Sequence, residues 1–132
     1  MITFVDTSAF LAVVDGGDRN HAKAARKWKD LVDGDATMVC TSYVLVETTA
    51  LLQACFGLQA VRVFHEDLAP LLTIEWVEPE LHQAGMTGVL TASRRELSLT
   101  DCVSFEVMRR RGIRHAFAFD RHFREQGFDD VG

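Results

Sequence analysis

Four carboxylates stand where an isolated carboxylate is costly. Asp6 closes the run Ile2-Thr3-Phe4-Val5, ahead of Thr7-Ser8 and a second apolar stretch, Ala9 to Val14. A short β-branched run of this kind reads as a buried strand passing directly into a helix. Asp6 then sits at a strand's carboxyl end, where ligands bind in open parallel sheets; helix capping is the alternative, since Asp is among the best N-caps. Glu47 is the only Asp, Glu, Lys, Arg or His between Asp35 and Arg62. It falls three residues after Val44 and four before Leu51, on the stripe those residues define. Burying it there requires a partner or a metal; otherwise it occupies a wet edge or pairs with a distant arginine. Asp101 shares a helical face with Phe105 and Met108, which turns it inward, although an acid in a first helical turn also complements the macrodipole. Asp120 ends the apolar run His115 to Phe119 as Asp6 ends the first. Gathered at one place, four such groups raise one another's pKa unless a divalent cation compensates. Oxygen ligands with no His or Cys suit Mg²⁺ or Mn²⁺ rather than zinc, and such a centre suits phosphodiester hydrolysis by activated water.

The elements that must position these acids alternate along the chain. A turn-rich loop offers Asp18 or Asn20 as the cap of a helix over about Ala22 to Val32, which puts Ala25, Trp28 and Val32 on one side. Thr37 to Thr41 reads as a strand, and Ser42 caps a helix to about Phe56, ended by Gly57. That helix is apolar almost all round and is expected to be buried on most sides. Leu58 to about Leu72 reads as a helix limited by Pro70, Thr73 to Val77 as a strand, and Pro79 to about Arg95 as a helix with Met86, Val89 and Leu90 in the core. Another helix starts in Leu97-Ser98-Leu99-Thr100-Asp101 and ends at Arg111 before Gly112. His65 and His82 read as surface residues, and Asp129-Asp130 as a loose tail. Strands alternating with helices predict an α/β fold of three layers, a central parallel sheet covered on both faces. Right-handed crossovers then bring the strands' carboxyl ends to one edge.

The chain has 132 residues, 48% of them hydrophobic, and a net charge of −5. That length supports one core and one domain, 1–132. With no apolar run near the roughly 20 residues that span a bilayer, and no signal-peptide pattern at the start, no membrane association and a cytoplasmic location are expected. Cys40, Cys55 and Cys102 are odd in number and unpaired in pattern, so they read as free thiols used as small core residues. The acidic balance argues against a nucleic-acid partner, but residues 91–124 carry eight arginines against Glu96, Asp101, Glu106 and Asp120. A basic stretch beside an acidic centre suits an enzyme acting on a polyanion; the alternative for Arg109 to Arg111 is a solvated helix C-terminus.

The fragments Val5-Asp6-Thr7-Ser8-Ala9, Ser42-Tyr43-Val44-Leu45-Val46-Glu47-Thr48, Leu99-Thr100-Asp101 and Phe119-Asp120-Arg121-His122-Phe123, in this order and at these distances, resemble the PIN-domain family. Within it, the chain is similar to the small VapC-type toxin ribonucleases of type II toxin-antitoxin systems. The resemblance implies a PIN-like fold in which Asp6, Glu47 and Asp101 bind catalytic Mg²⁺ or Mn²⁺. It also implies that Asp120 completes the acidic cluster and Ser8 helps position water or phosphate. The implied reaction is endonucleolytic hydrolysis of RNA that leaves a 5′-phosphate and a 3′-hydroxyl. A homodimer and a small antitoxin protein lying across the site are implied as partners. One position departs from the pattern: Ala118 stands where the family usually carries Ser or Thr, two residues before the last Asp. Two other readings compete. One is a catalytically weak PIN-like module that binds RNA or protein. The other is a phosphotransfer protein with Asp6 as nucleophile, although Ser8 stands where such phosphatases carry a second Asp and Lys29 is the last lysine.

Overall fold

The computed structural model describes residues 1–130; the last two of the 132 residues expected in the single domain lie outside the described ones. Five parallel strands form one sheet in the order β3-β2-β1-β4-β5. They are β1 (Ile2–Val5), β2 (Thr37–Thr41), β3 (Leu72–Glu75), β4 (His115–Phe117) and β5 (Asp129–Asp130). The longer helices that flank the sheet are α1 (Thr7–Val14), α2 (His21–Asp33), α3 (Ser42–Phe56), α5 (Pro79–Ala92) and α6 (Leu99–Arg111); α4 (Leu58–Val63) and α7 (His122–Glu125) are short. β1 is central because Thr3, Phe4 and Val5 are fully buried and have strands on both sides. Phe4 is in register with Val39 of β2 and Ala116 of β4. With every strand parallel, the β1–α1 and β4–α7 turns leave the same edge of the sheet.

Several expectations are corrected. Asp129–Asp130 is not a loose tail: it pairs with His115 and Ala116 as the edge strand β5. α3 is not buried on most sides. Only Val44, Thr48 and Leu52 are buried, at i, i+4 and i+8, while Val46 is 68% exposed. Its cap is Thr41, whose hydroxyl accepts from Val44 N at 3.2 Å; Ser42 Oγ instead accepts from Val77 N at 3.0 Å and ties α3 to the end of β3. Neither Asp18 nor Asn20 caps α2 through its side chain; Asp18 Oδ1 accepts from Asn20 N at 2.7 Å. α2 buries Ala24 and Leu31 with Trp28 against Phe10, leaving Val32 outside. Beyond α4 the chain tightens through a π turn (Phe64–Leu68) and a 3₁₀ turn (Ala69–Leu71), so Leu72 opens β3 rather than closing a helix. α5 stops at Ala92, before left-handed Ser93, and Leu90 and Cys55 are exposed rather than core. His82 is half-buried and bonded to the Tyr43 hydroxyl, whereas His65 is exposed as expected.

The glycines of α5 let it lie close against α6. A Cβ on Gly85 would fall 2.4 Å from Val103 Cγ2 and one on Gly88 3.3 Å from Cys102 Cβ. Gly85→Ala is therefore expected to destabilise the fold by about 1–3 kcal/mol through overpacking, measured by urea denaturation; an unchanged midpoint would show that the pair separates freely.

Candidate active site

Asp6 leaves β1 with its N–H bonded to Phe117 O at 3.0 Å, one residue beyond the strand. Its Oδ2 accepts from Ser8 N at 3.1 Å and Ser8 Oγ at 2.7 Å, so it does cap α1. It is also 4% exposed. Burial, with smaller contributions from Asp101 and Asp120, outweighs the two Ser8 bonds and pushes its pKa up to about 7. Both Ser8 bonds fall on Oδ2, so capping occupies one oxygen of the carboxylate.

Ser8 Oγ also accepts from Phe119 N at 3.0 Å. Its hydroxyl thus stitches the β1–α1 turn to the β4–α7 turn instead of standing free. Ser8→Ala would strip Asp6 of a donor and leave Phe119 N unpaired. The expected cost is about 1–3 kcal/mol, read by chemical denaturation; a loss well under that would show that water replaces the hydroxyl.

Glu47 is half-buried on α3. Burial raises its pKa first, the Thr100 hydroxyl opposes this, and Asp101 and Asp120 raise it further. It therefore faces the acids rather than a distant arginine. Thr48 Oγ1 donates to Thr7 Oγ1 at 3.1 Å, both side chains buried, which fixes this part of α3 against the start of α1.

Asp101 closes a capping box: Ser98 N donates to Asp101 Oδ2 at 3.1 Å and Asp101 N to Ser98 Oγ at 3.0 Å. Phe105 and Met108 on its face are buried. Burial is the main cause of its raised pKa, opposed by the Ser98 backbone bond and aided by Asp120. Asp120 does not repeat the geometry of Asp6, because β4 ends at Phe117 and Asp120 lies three residues beyond. Its Oδ1 accepts from His122 N at 2.8 Å. Ala118 is fully buried and offers no hydroxyl; this turn is held by Ser8 and by the His122 amide.

Asp101 and Asp120 raise the pKa of both Asp6 and Glu47, and among the described residues the group whose ligand atoms lie within 4.8 Å of one another is Asp101, Asp120 and His122, without Asp6 or Glu47. His122 is not among the residues the sequence singles out. The signal is present, a histidine two residues past an Asp that follows an apolar run and next to an apolar Phe, but a search confined to carboxylates passes over it. Among the described residues no Lys or Arg forms an ion pair with Asp6, Glu47, Asp101 or Asp120. Uncompensated, crowded and half-buried to buried, these oxygens fit a divalent cation.

Three of the eight arginines in the basic stretch are committed elsewhere. Arg110 grips both carboxylate oxygens of Glu80, at 2.6 and 2.8 Å, and Glu106 at 2.9 Å; Arg94 pairs with Glu96 and Glu125. Arg109 bonds Gln126 and lies over Phe105 and Phe128. Arg95, Arg111, Arg114, Arg121 and Arg124 stand exposed. Beside Glu47, Tyr43, Val46, Leu99 and Thr100 line an open depression of about 330 Å³.

A parallel five-stranded sheet with acids gathered at the carboxyl edge is what the PIN domain requires, and residues 3–129 match that family: the chain belongs to the PIN-domain family. More particularly, it is 34% identical over 129 residues to the 23S rRNA-specific endonuclease VapC20 of Mycobacterium tuberculosis, covering 97% of this chain and 96% of that one. The crystal structure of that VapC20, described as a sarcin-ricin loop cleaving toxin, matches with a TM-score of 0.85 and 32% identity over 96% and 95% of the two chains. FitAcB from Neisseria gonorrhoeae matches with a TM-score of 0.68 at 12% identity over 100% and 97% of the chains, a likeness of fold alone. Within the family the chain is therefore of the VapC type.

Proposed function

We propose that this chain is a divalent-metal-dependent endoribonuclease, the toxin of a toxin-antitoxin pair, that cuts a loop of 23S ribosomal RNA of the sarcin-ricin kind. The observation that carries the reading is an acidic pair, Asp101 and Asp120, near enough to raise the pKa of Asp6 and Glu47, with no Lys or Arg among the described residues paired to any of the four, in a chain whose likeness to VapC20 runs along nearly the whole of both.

Asp6, Glu47, Asp101 and Asp120 would hold Mg²⁺ or Mn²⁺. Bound there, the cation supplies Lewis acidity, which makes water nucleophilic near neutral pH and offsets charge on the phosphate. The protein's own part is to fix the oxygens beforehand. Ser8 orients Asp6, Ser98 orients Asp101, and the His122 amide orients Asp120. This positioning removes reorganisation from the reactive step. Exposed Arg121 and Arg124, on the turn that carries Asp120, bind the phosphates on either side of the cut. The products carry a 5′-phosphate and a 3′-hydroxyl.

Apolar surface close to the site supports protein partners. Val46, 68% exposed, lines the depression beside Glu47 and shares a neighbouring groove with Trp76, 64% exposed, the kind of surface that marks association. A small antitoxin and a second copy of the chain are its proposed occupants. Among the described residues no helix is long and apolar enough to cross a membrane, and a ribosomal substrate would place the protein in the cytoplasm. The test is to incubate purified protein with ribosomes and map new RNA ends. One cut in the sarcin-ricin loop bearing a 5′-phosphate is expected; cuts scattered along the rRNA, or confined to another RNA, would overturn the substrate assignment.

A further inference from the structure

Oxygen donors alone do not account for the donor set. His122 is 9% exposed, and both ring nitrogens are shielded from solvent without a hydrogen-bond partner. Nδ1 nevertheless lies 2.6 Å from Asp120 Oδ1, outside hydrogen-bonding geometry. A buried imidazole left unpaired is unfavourable, and a ring nitrogen pressed against a carboxylate oxygen needs either a well-aligned proton or a cation that both can share. The second arrangement fits the neighbourhood, because Asp101 brings a third ligand atom within 4.8 Å of the other two.

We propose that the His122 imidazole is a ligand of the divalent cation, joining Asp101 and Asp120 to make a mixed nitrogen-oxygen centre that prefers first-row transition dications to Mg²⁺. This rests on the metal-dependent reading above and refines it. Mg²⁺ favours oxygen donors and gives up water reluctantly. Imidazole nitrogen strengthens binding of transition ions along the Irving–Williams series.

Mn²⁺ is the probe. Pulsed EPR of the Mn²⁺-loaded full chain is expected to show nitrogen modulation of the imidazole type. The pattern should change when histidine is labelled with ¹⁵N and vanish in His122→Ala. Selective labelling needs no substitution, so the result does not depend on whether the variant folds. In calorimetry, His122→Ala should weaken Mn²⁺ binding by at least about tenfold and Mg²⁺ binding by less than about threefold. Bound Mn²⁺ without nitrogen modulation would remove His122 from the centre and leave the metal-dependent reading intact. Failure of Mn²⁺ to bind at all would overturn both.

Discussion

Asp101→Asn is expected to lose RNA cleavage by roughly a thousandfold or more, since a metal centre contributes several kcal/mol to the barrier and each 1.36 kcal/mol is tenfold. The substitution isolates charge from architecture. An Asn side chain is nearly the same shape, and its carbonyl oxygen can still accept from Ser98 N, as Asp101 Oδ2 does at 3.1 Å. The capping box therefore persists and α6 keeps its start. What disappears is a negative charge that Asp6, Glu47 and Asp120 all lie near enough to feel or to act on. Single-turnover cleavage with matched circular dichroism checks this. A variant that folds and cuts at the wild-type rate would remove Asp101 from the centre.

The second large effect is on stability without metal. Asp6 in the native state titrates at about 7 against an ordinary 3.8. The folded chain thus keeps a proton that the unfolded chain has released throughout that window. The stability this contributes is full below about pH 4 and is lost as pH rises toward 7, amounting to as much as roughly 4 kcal/mol. Asp6→Asn abolishes the dependence. Asn caps as well as Asp, so both Ser8 bonds have a continuing acceptor while the buried charge is gone. At pH 8 and in chelator, the variant should melt on the order of 10 °C above wild type, and the two should converge near pH 4. Equal melting temperatures at pH 8 would show that Asp6 is accommodated without penalty.

Sequence was informative where periodicity and side-chain type decide the outcome. Ile2 to Val5 is β-branched and apolar, ends in a capping Asp, and forms the central strand. Glu47 could be singled out because a lone charge in a long apolar stretch is conspicuous whatever its surroundings. Where the outcome depends on partners distant in sequence, the residues alone were silent. Arg110 resembles a phosphate-binding residue until Glu80, thirty positions earlier, takes its guanidinium in a bidentate grip. α3 is apolar almost all round, but hydrophobicity does not say which face another element will cover, and Val46 remains outside. Asp129 and Asp130 join the sheet by pairing with His115 and Ala116 as a parallel edge strand, which acidic side chains do not advertise. His122 was passed over for a related reason: the turn that sets its ring nitrogen 2.6 Å from Asp120 Oδ1 is a geometry without periodicity. Nor could the residues alone show what holds the turn that carries Ala118 and Asp120: Ser8 accepts from Phe119 N and Asp120 from His122 N, bonds that depend on how the two turns meet.

The most direct test of the central claim is cleavage of a sarcin-ricin hairpin RNA by the purified chain, first in chelator and then after adding back Mn²⁺ or Mg²⁺. No cutting in chelator and restored cutting at one position with the metal are predicted. Cutting that proceeds at full rate in chelator would contradict a metal-dependent acidic centre.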